Sequence, residues 1–138
     1  MKKDRYLFRG KTTDTGKWVT GSLIYNEFAH GESYHIVPFL ETKDSPTQIY
    51  TVTKASVGQC TGLKAKDGTL VFEGDVLRGC GMNNMGKLFI ISFEDYSASF
   101  VNMWNDDKKR FHINEDTTKF FEVISNIYDN PELLESEV

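Results

Sequence analysis

Cysteine is scarce in this chain, which has only Cys60 and Cys80 among its 138 residues. The two lie far apart and belong to no Cys-x-x-Cys or Cys/His pair, so the sequence predicts neither a disulfide framework nor a zinc site built on them. A reducing, cytoplasmic compartment fits this usage best. We expect both to be buried, unreactive thiols; pairing of either one with His112 as a nucleophile is the alternative.

Long apolar and long amphipathic segments are also missing. No run approaches the roughly 18 apolar residues of a membrane-spanning helix, and the basic first 20 residues contain no apolar signal-peptide core. No stretch of about 12 residues or more shows helical periodicity. We therefore expect a soluble protein with no membrane partner and little helix.

An excess of positive charge is absent as well, since the net charge is −4. This argues against a dedicated duplex-DNA binder, because neutralised phosphates supply most non-specific affinity. The charges are unevenly spread: residues 1–20 hold six basic and two acidic side chains, whereas residues 115–138 hold one basic and seven acidic. Solvated charges at both ends are the simpler interpretation; a basic N-terminal stripe for an acidic partner or nucleic acid is the alternative.

What the chain does contain is a series of short apolar pieces separated by turn residues. Its aromatic residues are mainly Phe and Tyr, which favour strands. Asn114 or Asp116 and Asn130 are candidate N-caps for short helical turns, the last with Pro131 at the first helical position. The predicted strands are 6–8, 18–25, 33–37, 49–53, the pieces within 57–77, 75–78, 87–93, 97–104, 110–113 and 121–128.

The segment 57–77 is the most strongly punctuated of these pieces, with four glycines and the pair Asp67-Gly68. An Asp-Gly pair between apolar residues is typical of a tight hairpin with φ > 0, and Gly62 and Gly74 bracket it. The sequence thus predicts a mainly β fold of short antiparallel strands, with a curled or SH3-like barrel over about 57–128 and one or two helical turns near the C-terminus. Sub-lobes at 1–45, 57–128 and 129–138 are a possible subdivision of one domain.

Four blocks of this sequence resemble the YopX family, namely 8–11, 16–23, 57–77 and 122–134. The resemblance implies one YopX-like domain over 1–138, an origin in a phage or prophage, and an unassigned function with no catalytic residues to carry over. Cys60 and Ser125 depart from the family pattern, where an aromatic residue and Gly are usual. We expect structural roles for the motif residues Gly10, Trp18, Gly21, Gly58, Gln59, Thr61, Gly62, Leu63, Asp67, Gly68, Glu73, Gly74, Asp75, Asn126, Ile127, Tyr128, Asn130 and Pro131.

Two groups of polar residues contain side chains of the types that bind metals or catalyse proton transfer. His30, Glu32 and His35 contain metal-ligand types, but Gly31 favours a loop and the helical i, i+4 spacing is missing. The carboxylates at 73, 75, 94 and 95 suit metal or acid/base use, although acidic residues collect at strand ends in any case. We expect no catalytic residue, no metal and no cofactor.

A binding surface is the remaining functional pattern. Small β-barrels bind single strands by stacking bases on exposed rings beside basic side chains. Our expectation is nevertheless a non-enzymatic accessory protein that binds a host or phage protein, or associates with itself through strand edges. A nucleic-acid-binding barrel is the alternative, and an enzyme with an unrecognised site is the second. The candidate surface residues are Arg5, Arg9, Lys11, Lys17, Trp18, Tyr96 and Trp104.

Overall fold

A computed structural model describes residues 3–39, 42–44, 47–82, 84–97, 99–104 and 110–134. Within these residues the chain forms eleven β-strands and one short α-helix, so the mainly β prediction is confirmed. Two compact units meet at residue 60, the first covering 1–60 and the second 61–138. None of the helices in these described ranges has the length and hydropathy to cross a membrane.

Six strands form the first antiparallel sheet, in the order β4-β3-β2-β1-β5-β6. The first unit ends within β5, after Cys60. Turns of 3-10 helix precede β1, at Lys3–Tyr6, and β5, at Lys54–Ser56. The strands are β1 Phe8–Lys11, β2 Trp18–Phe28, β3 Gly31–Pro38, β4 Tyr50–Thr51, β5 Gly58–Lys64 and β6 Leu70–Phe72.

The start of the first strand differs from the prediction. Tyr6 lies in the 3-10 turn, whereas residues 9–11, which lie beyond the predicted strand 6–8, are the main part of β1. The reason is pairing: Gly10 lies opposite Val19 in the hairpin with β2 and Lys11 opposite Trp18, and this ladder outweighs the apolar character of residues 6–8. The chain turns back into β2 through residues 13–15.

Glycine allows β2 and β3 to approach closely near their bases. Gly21 lies opposite Pro38, and a Cβ atom on Gly21 would be 2.1 Å from the Val37 carbonyl oxygen. Any larger residue would therefore separate the two strands. Beyond Gly21 the hairpin continues to its turn at residues 29–30. Most side chains of the strands next to this turn are exposed.

The second unit holds the second antiparallel sheet, in the order β10-β9-β8-β7-β11. Its buried core consists of Ala65, Val71, Leu77, Phe89, Ile91 and Phe121. The nearly continuous apolar sequence of β8 supplies two of these side chains, which fits a strand covered over much of its length. The strands are β7 Asp75–Gly79, β8 Leu88–Glu94, β9 Ser99–Trp104, β10 Arg110–His112 and β11 Phe121–Asn126.

The prediction of an SH3-like barrel over about 57–128 is wrong. The strand that begins at Gly58 pairs with β1, with Gln59 opposite Phe8, and therefore belongs to the first sheet. In the second sheet β10 and β11 are the two edges, so the strands described there form an open sheet rather than a closed barrel.

Both predicted helical turns are present. The helix α1, Glu115–Thr118, begins after Asn114, whose side-chain oxygen accepts a hydrogen bond from Thr117 N at 3.1 Å. Thr117 Oγ1 in turn accepts from Asn114 N at 2.9 Å, which completes a reciprocal cap. The last turn, Pro131–Leu134, is 3-10 helix.

Candidate functional site

An apolar groove of about 730 Å³ opens on the second unit. It lies between the loop that joins β7 to β8, the edge strand β10, and the α1 region. Volumes of this size are typical of ligand-binding clefts. The residues that line it are Gly81, Met82, Asn84, Phe89, Phe111, His112, Asp116, Thr117, Phe120 and Phe121.

Phenylalanine and methionine account for five of the ten residues that line the groove. Phe89 and Phe121 are buried and pack edge to face, with ring centroids 4.8 Å apart. Phe111 and Phe120 are about half exposed, and Met82 is 99% exposed. Large apolar side chains left in water beside a concavity are characteristic of an interaction site, and methionine adapts to differently shaped partners.

Backbone hydrogen bonds hold the two sides of the groove together. Cys80 N donates to the Phe120 carbonyl oxygen at 2.8 Å, which ties the β7–β8 loop to the turn after α1. Within the loop, Gly81 N donates to Asn84 Oδ1 at 2.8 Å, and Gly79 N donates to the Lys87 carbonyl oxygen at 2.9 Å. The groove is thus largely formed before any partner binds.

The polar groups of the groove pair with near neighbours. Lys119 Nζ lies 3.3 Å from Asp116 Oδ1 and 5.4 Å from the centre of the Phe120 ring. His112 Nδ1 lies 3.2 Å from Ser99 Oγ. A groove with an apolar floor and locally paired polar groups suits apolar side chains better than a charged substrate.

Sequence reasoning missed this groove because its lining comes from separate segments spread over residues 81–121. One local signal was available: Met82 and Met85 are large apolar residues in a turn otherwise made of Gly, Asn and Cys. In a solvent-exposed turn such residues obtain none of the free energy of burial. Exposed apolar residues of this kind are typical of a surface that a partner covers.

The predicted carboxylates serve different local purposes. Asp75 is 1% exposed, and its Oδ2 accepts a hydrogen bond from Phe72 N at 2.7 Å, which fixes the turn between β6 and β7. Glu73 lies in that turn, Glu94 Oε1 accepts from Ser97 Oγ at 2.9 Å, and Asp95 is exposed. Across the described ranges, no three His, Cys, Asp or Glu side chains are placed to hold a metal ion.

The three candidate metal ligands near the β2–β3 turn are also separated from one another. His30 lies in the turn itself. Glu32 and His35 are three residues apart on one strand and therefore point to opposite faces. His35 Nδ1 lies 3.1 Å from Thr51 Oγ1, and Glu32 forms an ion pair with Lys54.

Glu32 is instead the centre of a hydrogen-bonded cluster on the hairpin. The Lys54 ammonium, followed by the hydroxyl of Tyr34, which donates at 2.8 Å, lowers the Glu32 pKa to about 2. Hydrogen bonds to this carboxylate raise the pKa of both Tyr34 and Tyr25, and the two rings lie 5.2 Å apart. The cluster joins β2, β3 and the 3-10 turn that holds Lys54.

The cysteine alternative gains no support from the geometry. Cys60 is completely buried in the first unit. In the second unit, Cys80 is only partly buried, so the expectation that both cysteines are buried is wrong for this one. Its Sγ is directed to the Arg78 carbonyl oxygen at 3.6 Å, while His112 is bonded to Ser99. In the described part of the chain, the hydrogen bonds given for Cys80 and His112 therefore go to other groups.

Part of the predicted basic and aromatic surface is assembled in the first unit. The Arg9 guanidinium carbon lies 4.9 Å and Lys11 Nζ 5.4 Å from the centre of the Trp18 ring. Arg5 lies over Tyr6 instead, at 5.7 Å, and Lys17 is exposed beside Trp18 in sequence. The two remaining candidates for this surface are Tyr96 and Trp104. Tyr96 is 98% exposed in the second unit, and the side chain of Trp104 lies outside the part of the chain that the structure describes.

The motif residues lie in strands and turns whose geometry gives a reason for the predicted structural role. Gly68 has φ +88° in the turn after β5, where Asp67 Oδ1 accepts from Thr69 N at 3.0 Å. Gly74 has φ +90°, and a Cβ there would lie 2.5 Å from Tyr128 Cε2.

The closing block of the motif is held by asparagine side chains. Asn126 Oδ1 accepts hydrogen bonds from the backbone N of Tyr128 at 3.0 Å and of Asp129 at 2.8 Å. Asn130 accepts from Ser125 Oγ and precedes the 3-10 turn that starts at Pro131. The others are Gly10 in β1; Trp18 and Gly21 in β2; Gly58, Gln59, Thr61, Gly62 and Leu63 in β5; and Glu73 and Ile127 in turns. Their structural role stays a prediction.

Comparison with known proteins agrees with the sequence blocks. A crystal structure of protein EF1440 from Enterococcus faecalis resembles this chain with a TM-score of 0.56 and 20% sequence identity, over 92% of this chain and 96% of the other. That likeness concerns the fold alone. A search of curated proteins gave no match. The model of the YopX protein family matches residues 7–135, and the chain therefore belongs to the YopX family.

Proposed function

We propose that this protein is a non-enzymatic accessory protein of a phage or prophage, located in the host cytoplasm, which acts by binding another protein through the groove of its second unit. The groove carries the proposal, because Met82, Phe111 and Phe120 expose apolar surface around one concavity. The phage setting rests on what the YopX resemblance implies.

The fitting ligand is a peptide segment with one or two large apolar side chains. The volume of about 730 Å³ suits such side chains, and the rings of Phe89 and Phe121 form an apolar floor. Each side chain that leaves water for the groove contributes roughly 1.5–3 kcal/mol, so two of them supply a large part of the about 8 kcal/mol that micromolar affinity requires.

The placement of the candidate catalytic groups supports a non-enzymatic role. Asp75 is committed to the turn before β7, and Cys60 is inaccessible to a substrate. A catalytic base and its nucleophile must lie within hydrogen-bond reach, and the two partners considered, Cys80 and His112, each bond elsewhere.

Selection from a random peptide display library tests the proposal. We expect enrichment of peptides with spaced large apolar residues, and loss of their binding in Phe120→Ser. Phe28→Ser is the matched control, because Phe28 is 62% exposed and belongs to the first unit. Peptides that bind Phe120→Ser as well as the wild type would contradict the proposal, and so would a failure to enrich any peptide.

A further inference from the structure

Among the described residues, the strand β2 has no neighbour on its outer side beyond Gly21. There β1 pairs with β2 from Trp18 to Gly21, whereas β3 pairs with its other side from Gly21 to Phe28. We call residues 22–28 the open edge. We propose that the open edge pairs antiparallel with the same segment of a second copy of this chain. The proposal rests on the first unit alone and does not depend on the groove.

The register of the hairpins shows which backbone groups face the open edge. Residues along a strand alternately direct their N–H and C=O groups to one side and to the other. Thr12 N donates to the Lys17 carbonyl oxygen at 2.9 Å, one pair before the β1–β2 ladder. The odd-numbered residues of β2 therefore direct these groups towards β1, and the even-numbered ones direct them towards β3. Along the open edge, Leu23, Tyr25 and Glu27 thus direct their N–H and C=O away from β3.

The open edge lacks the features that commonly protect an edge strand. Natural edges are often blocked by lysine, proline or a β-bulge. Residues 22–28 contain no Lys, Arg or Pro, and their register with β3 is continuous up to Phe28. Ile24, Tyr25 and Phe28 are 38%, 47% and 62% exposed. The segment is therefore a regular strand with exposed apolar side chains, to which another strand can be added.

The sequence of the open edge is complementary to itself when a twofold axis passes beside Asn26. Ile24 then lies opposite Phe28 of the second copy, and Tyr25 lies opposite its Glu27. The two Asn26 side chains face each other and can exchange a hydrogen bond, since an amide both donates and accepts. Apolar side chains thus meet apolar ones, and the single charged residue meets a neutral ring.

The neighbouring symmetric registers are less favourable. An axis beside Tyr25 would place Leu23 opposite Glu27, and an axis beside Glu27 would place two carboxylates directly opposite each other, which is destabilising. An axis beside Ile24 would carry the second copy along the part of β2 that β1 already occupies. In the Asn26 register, Tyr25 and Glu27 of the two copies exchange backbone hydrogen bonds through the groups that point away from β3.

This contact closes after two copies. The other side of β2 is paired with β3, and an isologous contact uses the same segment of both chains. The even-numbered residues of a strand lie on one face, so Ile24 and Phe28 of both copies are covered together. A strand from an unrelated protein would satisfy the backbone groups but would not provide these reciprocal side-chain pairs.

Sedimentation equilibrium of the full chain, with a charge swap at Asn26, tests the proposal. We expect a reversible wild-type dimer with a micromolar Kd. Asn26→Lys places two like charges directly opposite each other and should weaken the dimer at least about tenfold in low salt, and Asn26→Asp should do the same. An equimolar mixture of the two variants should associate again, because Lys then faces Asp. Thr13→Lys, an exposed position in the β1–β2 turn, adds the same charge and should leave the dimer unchanged.

A second pair of variants separates this dimer from the groove. Phe28→Ser should weaken the dimer because Ile24 loses its partner, whereas Phe120→Ser, which alters the groove, should not. Far-UV circular dichroism checks that the variants are folded. A wild-type chain that stays monomeric up to about 500 μM, far above a micromolar Kd, would overturn the proposal. It would also be overturned by a dimer that Asn26→Lys leaves intact, or by Lys and Asp variants that do not associate when mixed.

Discussion

At the scale of single residues, Gly68 and Gly74 show that two similar backbone angles have different causes. Both have φ near +90°, in the region that residues with a Cβ rarely occupy. No atom of the described residues lies within 4 Å of a Cβ built on Gly68, whereas one built on Gly74 meets the Tyr128 ring. Gly68 is therefore required by the backbone alone, and Gly74 by the backbone and by packing.

Alanine substitutions at these two positions should separate the two effects. We expect Gly68→Ala to cost about 1–2 kcal/mol of unfolding free energy from backbone strain alone, and Gly74→Ala to cost more because it also displaces Tyr128. Gly68→Asn should be milder, since Asn tolerates positive φ. Urea unfolding measures all three, and equal losses for the two alanine variants would refute the contact with Tyr128.

A buried carboxylate gives the second prediction at this scale. Asp75→Ala removes the acceptor of the Phe72 N–H and leaves that donor buried without its bond, at a cost of about 1–3 kcal/mol. Asp75→Asn retains an oxygen acceptor and should cost less. Chemical denaturation compares the two, and an Asp75→Ala variant as stable as the wild type would rule out this role.

At the scale of elements, the β2–β3 hairpin combines favourable and unfavourable charge contacts. Glu27 and Glu32 lie directly opposite each other, which is destabilising for like charges. Lys54 and the two tyrosine hydroxyls stabilise the charged form of Glu32, as its low pKa shows. The 3-10 turn that carries Lys54 therefore helps to hold the hairpin.

This arrangement predicts a pH-dependent stability difference. Because folding lowers the Glu32 pKa from 4.5 to about 2, the carboxylate contributes stability above about pH 5 and loses it as the pH falls towards 2. Glu32→Gln should thus lower the melting temperature at neutral pH and match the wild type near pH 2. Glu27→Gln, which removes the opposing charge, should not lower it. A Glu32→Gln deficit that persists unchanged at pH 2 would show that the ion pair is not its source.

The elements that sequence analysis predicted correctly are those set by local chemistry. The turn at Asp67-Gly68 and the Asn114 cap each depend on residues within a few positions. The pairing of β5 with β1 joins residues about 50 positions apart. No local pattern in the sequence specifies such a pairing, which is why the barrel interpretation failed.

At the scale of the whole molecule, the predicted class of fold and family are confirmed, while the groove emerged only from the structure. Its lining comes from the β7–β8 loop, β8, β10, α1 and β11, and only the folded second unit brings these segments together. Phe111 and Phe120 each read as ordinary strand or loop residues in the sequence. Only the folded structure shows that both side chains line the same groove.

Methyl NMR of the full chain with labelled methionine, titrated with a display-selected peptide, tests the central claim most directly. Met82 lines the groove, whereas Met85 is exposed in the same loop but is not part of the lining, so the two methyl groups are a built-in comparison. We predict a saturable shift of the Met82 resonance, a much smaller one for Met85, and no shift in Phe120→Ser. A peptide that binds while the Met82 resonance stays unchanged would contradict the account.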